Sequence, residues 1–74
     1  MQIIFTLDSD PAKVLAVEVA VFVDGRQDGV SESVLPAING QQATLDLPRF
    51  AIDIDSTDVR VREWAPNPTD WRKI

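Results

Sequence analysis

The 74 residues carry a formal net charge of −5 and contain no cysteine and no histidine. One small acidic domain is expected, without disulfide staples, thiol or imidazole catalysis, or the common zinc sites. A chain this short buries only about 60% of its unfolded surface, so an efficient core or self-association has to supply its stability, and self-association is the expectation here.

The charge argues against simple electrostatic binding of nucleic acid or an anionic membrane, because phosphate contacts need clustered Lys and Arg. No apolar run reaches the length of a membrane-spanning helix, and Met1-Gln-Ile-Ile-Phe lacks the basic region of a signal peptide. A cytoplasmic location is therefore expected, and the absence of cysteine fits a reducing compartment. Residues 1–37 hold six acids against Lys13 and Arg26, whereas residues 38–74 hold six acids and five bases. The first half is either an acidic face for a basic partner or ordinary solubilising charge.

In chain order, Ile3, Phe5 and Leu7 alternate with Gln2, Ile4 and Thr6, which predicts a first strand. Asp8-Ser-Asp-Pro11 ends it with turn chemistry, and Asp10-Pro11 is also a good helix start. Val14–Val23 is the most informative stretch. Five of its ten residues are valine, which favours a strand over a helix that would be apolar nearly all round. Leu15, Val17, Val19, Val21 and Val23 form one apolar face, expected to be core. Val14, Ala16, Glu18, Ala20 and Phe22 form a mixed face.

Asp24-Gly25 and Asp28-Gly29 bracket a polar loop, and either pair can supply the positive φ of a hairpin reversal. Val30–Leu35 reads as an edge strand or a short helical turn, with Pro36 suited to an edge. Asn39-Gly40 is the sharpest turn signal, favouring a two-residue type I′ hairpin. Beyond it, Ala43, Leu45 and Leu47 alternate with polar residues. The apolar positions then switch to Phe50, Ile52 and Ile54, which predicts a bulge or bend at Pro48-Arg49. Val59 and Val61 alternate with Arg60 and Arg62 in a last strand.

The sum is a mainly β fold, a small antiparallel meander of about five or six strands forming a sandwich or partly open barrel. It divides into a β domain over residues 1–64 and an extended tail over 65–74, stiffened by Pro66 and Pro68.

Catalytic chemistry is sparse, and no catalytic residue, cofactor or metal site is assigned. The glycines sit in turn dipeptides rather than in a phosphate loop. Asp53 and Asp55 alternate outward on a strand. Asp53-Ile-Asp-Ser-Thr-Asp58 departs from a calcium loop, lacking a glycine at its sixth position and a glutamate at its twelfth, where Trp64 stands.

Interaction chemistry is better represented. Glu18 is a carboxylate within an apolar strand and must be solvated or paired. It sits at a wet margin, or pairs with Arg60 or Arg62, or lies on a face that receives another chain. Arg60, Arg62 and Trp64 share one strand face, with Trp71 and Arg72 close in sequence. Arg interleaved with Trp is a common interface composition. In the plainer reading Trp64 and Trp71 fold back to cover the sheet's second face, and in the functional one the tail is an arm that docks its Trp onto a neighbouring subunit.

Glu18, Arg60, Arg62, Trp64 and Trp71 are therefore the candidate interaction residues. The leading expectation is a non-enzymatic interaction or assembly module, homo-oligomeric or bound to another protein. A viral or mobile-element structural or accessory protein is the background expectation for short acidic β-chains, with residence in a virion as one consequence. The alternatives are a glycan-binding module using Trp64 and Trp71, and an acidic decoy that occupies a basic protein site.

Overall fold

The structure, a computed structural model, describes residues 2–47 and 57–74. Its elements are β1 (Gln2–Thr6), a 3₁₀ turn (Pro11–Lys13), β2 (Ala16–Val23), β3 (Arg26–Val34), β4 (Ala37–Asn39), β5 (Gln42–Asp46), β6 (Asp58–Trp64) and β7 (Arg72–Lys73). They form two antiparallel sheets, a three-stranded one ordered β1-β5-β4 and a four-stranded one ordered β3-β2-β6-β7. The pairs β2–β3, β4–β5 and β6–β7 are neighbours in sequence, whereas β1–β5 and β2–β6 are closed over long separations.

The core lies between the sheets. Ile3 and Leu45 come from the three-stranded sheet, Val17, Val19, Val59 and Val61 from the four-stranded one, and Leu47 follows β5. Phe5, Val14 and Val34 pack around this cluster. Alternation explains the placement, since successive side chains on a strand point to opposite faces. In β6 the odd residues Val59, Val61 and Glu63 are buried and the even ones are half-buried.

The Val14–Val23 stretch is a strand, beginning at Ala16. Its odd face is core at Val17 and Val19, but Leu15 is 62% exposed and Val23 53%. Both lie at the limits of β2, where the facing sheet no longer covers them. The mixed face is buried too, at Glu18, Ala20 and Phe22. β2 is therefore a central strand covered on both sides.

The turn chemistry is partly displaced from its expected place. Asp24 and Gly25 have φ of 52° and 77° and close β2 onto β3, with Val23 paired to Arg26. Positive φ at both central positions is the type I′ requirement. Asp28-Gly29 does not reverse the chain. It lies within β3, where the register jumps from Val21–Asp28 to Val19–Glu32 and Gly29 has φ 76°. This is a bulge, which accommodates the extra residues of an edge strand and increases its local twist.

The Asn39-Gly40 signal also sits one residue early. Asn39 pairs with Gln42, so the two-residue loop is Gly40-Gln41, with positive φ at Gly40 alone. That is the type II′ pattern rather than type I′. Val30–Val34 is part of edge strand β3 rather than a helical turn. At the 3₁₀ turn both readings of Asp10-Pro11 merge, because Asp10 caps it by accepting the Ala12 N–H and Pro11 opens it. The expected bend at Pro48-Arg49, the strand over 50–54 and the Asp53/Asp55 pair lie outside the described residues.

The C-terminal segment does not stand off the domain. Ala65 N–H donates to the Asn67 carbonyl at 3.1 Å, Trp64 bridges to Pro68, and β7 returns antiparallel beside β6, pairing Lys73 with Arg60 and Arg72 with Val61.

The burial pattern separates two leucines that the sequence treats alike. Leu45→Ala should cost about 2–5 kcal/mol, as for a buried leucine whose cavity does not collapse. Leu15→Ala should stay within about 0.5 kcal/mol, as for an exposed position. Urea denaturation of the two variants reads the difference directly, and equal losses would place Leu15 in the core after all.

Candidate functional site

The five candidate residues converge on the outer face of the four-stranded sheet. Register brings them together, with β2 and β6 pairing Ala16 with Trp64, Glu18 with Arg62, Ala20 with Arg60 and Phe22 with Asp58. Small residues at Ala16 and Ala20 leave room beside Glu18 for long side chains lying across the sheet.

Glu18 sits at the base of the cluster, 9% exposed. Its Oε1 accepts from Arg62 Nε at 3.0 Å and from Trp64 Nε1, and Arg62 Nη2 lies 3.0 Å from the same oxygen. Its Oε2 accepts from Ser31 Oγ at 2.7 Å. Of the readings open for Glu18, the paired one is realised, with Arg62. Burial pushes its pKa up, but the hydrogen bonds from Arg62, Ser31 and Trp64 and the Arg62 charge outweigh that and hold it below the usual carboxylate value.

Above Glu18, cations and rings alternate. The Arg60 guanidinium lies 4.4 Å from the Phe22 ring centroid, and Phe22 meets Trp71 edge-on at 5.3 Å. Arg62 lies 4.6 Å from the Trp71 centroid and 5.4 Å from that of Trp64. Such contacts are favourable through the negative ring face. Arg60 also holds Asp58 through two hydrogen bonds, at 3.1 and 2.8 Å, and these keep the Asp58 carboxyl below its ordinary pKa. Arg60, Arg62, Trp64 and Trp71 are all half-buried, so this face is covered by its own chain and still reaches solvent.

A second cluster was not singled out from the sequence. Glu63 is 0% exposed. Its Oε2 accepts from the Asp8 N–H at 2.9 Å and from Arg72 Nη2 at 2.7 Å, and its Oε1 accepts from the Ser9 N–H at 2.9 Å. Arg72 also reaches Asp8 Oδ2 at 2.5 Å and the Thr6 carbonyl at 2.6 Å, with its guanidinium 5.5 Å from the Phe5 centroid. Burial raises the Glu63 pKa, and the hydrogen bonds from Asp8 and Ser9 with the Arg72 charge more than reverse it. The signal for this cluster was present: Glu63 follows Val59 and Val61 at the same alternation, the anomaly that marks Glu18 in β2.

Both carboxylates are thus ionised acceptors, surrounded by donors. Their folded pKa values lie below the unfolded ones, so their contribution to stability is present above the ordinary carboxylate value and is lost as pH falls through the lower folded values. Among the described residues no group of three or more acidic side chains is placed to hold a metal ion, and no helix is long and apolar enough to cross a membrane. Comparison of the chain with protein-family models, curated proteins and solved structures finds no match.

Trp64→Phe keeps an aromatic ring beside Arg62 and removes the Nε1–H that Glu18 accepts, together with part of the indole's area. A hydrogen bond to a charged group contributes about 1.5–3 kcal/mol. The variant should lose stability of that order in urea denaturation, and an unchanged midpoint would show that Glu18 does not draw on Trp64.

Proposed function

We propose that this chain is a non-enzymatic interaction or assembly module whose docking surface is the outer face of the four-stranded sheet. The observation that carries this reading is the convergence of Arg60, Arg62, Trp64 and Trp71 as half-buried side chains on one face. Tryptophan and arginine are among the residues that most often dominate protein interfaces: Trp buries a large rigid area, whereas Arg has rotamer freedom to lose. Here that freedom is already reduced, since Arg60 and Arg62 are held by Asp58 and Glu18. A preorganised face loses less entropy on binding.

The partner is a protein, and a second copy of the chain is the first to test. Leu35, 78% exposed, enlarges the apolar part of the surface at the end of β3. Ring stacking of a glycan is disfavoured by the occupancy of Trp64 and Trp71, each of which already gives one face to Arg62.

The mass of the chain in solution, by light scattering or native mass spectrometry across a concentration series, tests the reading. An oligomer is expected at micromolar concentration. Arg60→Ala, which removes a partly exposed side chain at small cost to folding, should shift the series toward monomer. A chain that stays monomeric throughout would overturn self-association. An oligomer indifferent to Arg60→Ala and to Leu35→Ser would place its interface elsewhere.

A further inference from the structure

The four-stranded sheet ends on a strand of two residues, β7, and side chains do much of the work of fastening it. Its backbone hold on β6 consists of the Arg60–Lys73 and Val61–Arg72 pairs, with Thr69 N–H on the Glu63 carbonyl at 2.8 Å and Ile74 N–H on the Val59 carbonyl at 3.2 Å. Arg72 binds Glu63 of β6 and reaches past that strand to Asp8 and to the Thr6 carbonyl. It thereby ties the last residues of the chain to the far sheet.

The Glu63 carboxylate is the fixed point of that tie. It accepts from the N–H groups of Asp8, Ser9 and Arg72 and from the Ser9 side chain. A protonated carboxyl would turn its own O–H toward these donors and lose part of its acceptor capacity. Among the described residues the charged groups that face it are Arg72 on β7 and, bound to the same guanidinium, Asp8 on the loop after β1. On its own strand the buried neighbours are Val59 and Val61, which do not titrate, and Thr69 meets the Glu63 backbone.

We propose that residues 69–74 form a releasable strap locked by the Glu63 carboxylate, and that neutralising this carboxylate frees the strap while the two-sheet core stays folded. The core supports this separation, because the cluster of Ile3, Val17, Val19, Leu45, Leu47, Val59 and Val61 includes nothing beyond β6. Elements with few buried apolar contacts open at lower free energy than the core they lie on. With the strap lifted, Trp71 leaves Phe22 and Arg62, and β6 loses its outer neighbour and becomes a sheet edge.

The sign is set by the donors around Glu63. They hold its pKa below the ordinary carboxylate value, so the strap is docked at neutral pH and lets go as pH falls through that lowered value. That release also strips Trp71 from the docking surface rests on the function proposed above. The lock itself does not.

Amide exchange of the full chain, followed by mass spectrometry over a descending pH series and expressed as protection factors, tests the lock. Residues 69–74 should lose protection at a higher pH than β2 and β5. In Glu63→Gln they should already be unprotected at neutral pH, with the Trp71 emission shifted toward that of an exposed indole and β2 and β5 still protected. Loss of all protection in one step, or a Glu63→Gln strap as protected as the wild type, would overturn the proposal. If Glu63→Gln fails to fold, Arg72→Gln asks the same question from the strap side, and the wild-type pH series decides without any variant. A chain that is monomeric at neutral pH and still releases its strap in acid would sink the self-association reading and leave the lock standing.

Discussion

A single carboxylate with no exposure to solvent organises this molecule. Glu63 sits on the inner side of β6, accepts the N–H groups of Asp8 and Ser9 from the loop after β1, and binds Arg72 from β7. Three segments, one of them more than fifty residues away in sequence, therefore meet at one side chain. A buried charge is tolerated only when paired and hydrogen-bonded, and removing one partner of such a pair typically costs about 3–5 kcal/mol. In a domain of this size that is a large share of the total stability. The sheets could pack their apolar faces without Glu63, but the loop after β1 and the C-terminal segment would have far less to hold them in place.

The second carboxylate plays the corresponding part on the opposite face. Glu18 gathers Arg62, Trp64 and Ser31, and Arg62 in turn carries Trp71. β2 and β6 thus bury apolar side chains inward and build a charge-and-ring layer outward. Two covered faces on one sheet are an economical answer to the surface problem of a short chain. That outer layer contains all five residues that composition and alternation had marked for interaction.

Much of the architecture is legible in the residues. Alternation along Gln2–Thr6, Ala16–Val23, Gln42–Asp46 and Asp58–Trp64 specifies strands and inner faces, because a period of two admits one buried side. The misplacements have local physical causes. Leu15 and Val23 continue the apolar pattern of β2 but overrun the sheet that would bury them, and a strand pattern carries no record of where its neighbour ends. Asp28-Gly29 has turn composition, yet the same positive φ serves a bulge as well as a reversal. Glu63 continues the buried alternation of Val59 and Val61, but the sequence around it shows no partner for its charge. Its burial comes from Asp8, Ser9 and Arg72, two of them more than fifty residues away. Where the tail docks is not legible for a related reason, since Pro66 and Pro68 restrict the backbone locally and cannot show that Arg72 has acceptors on β1 and its loop.

The claim that Glu63 joins the C-terminal segment to the body is tested most directly by a double-mutant cycle between Glu63 and Arg72. Glu63→Gln, Arg72→Met and the double variant would be compared with the wild type by urea denaturation at neutral pH. Groups in one buried network couple by about 0.5–3 kcal/mol, and a value toward the upper end is expected here because Glu63 is fully enclosed. A coupling near zero, with the two single losses simply adding, would contradict it.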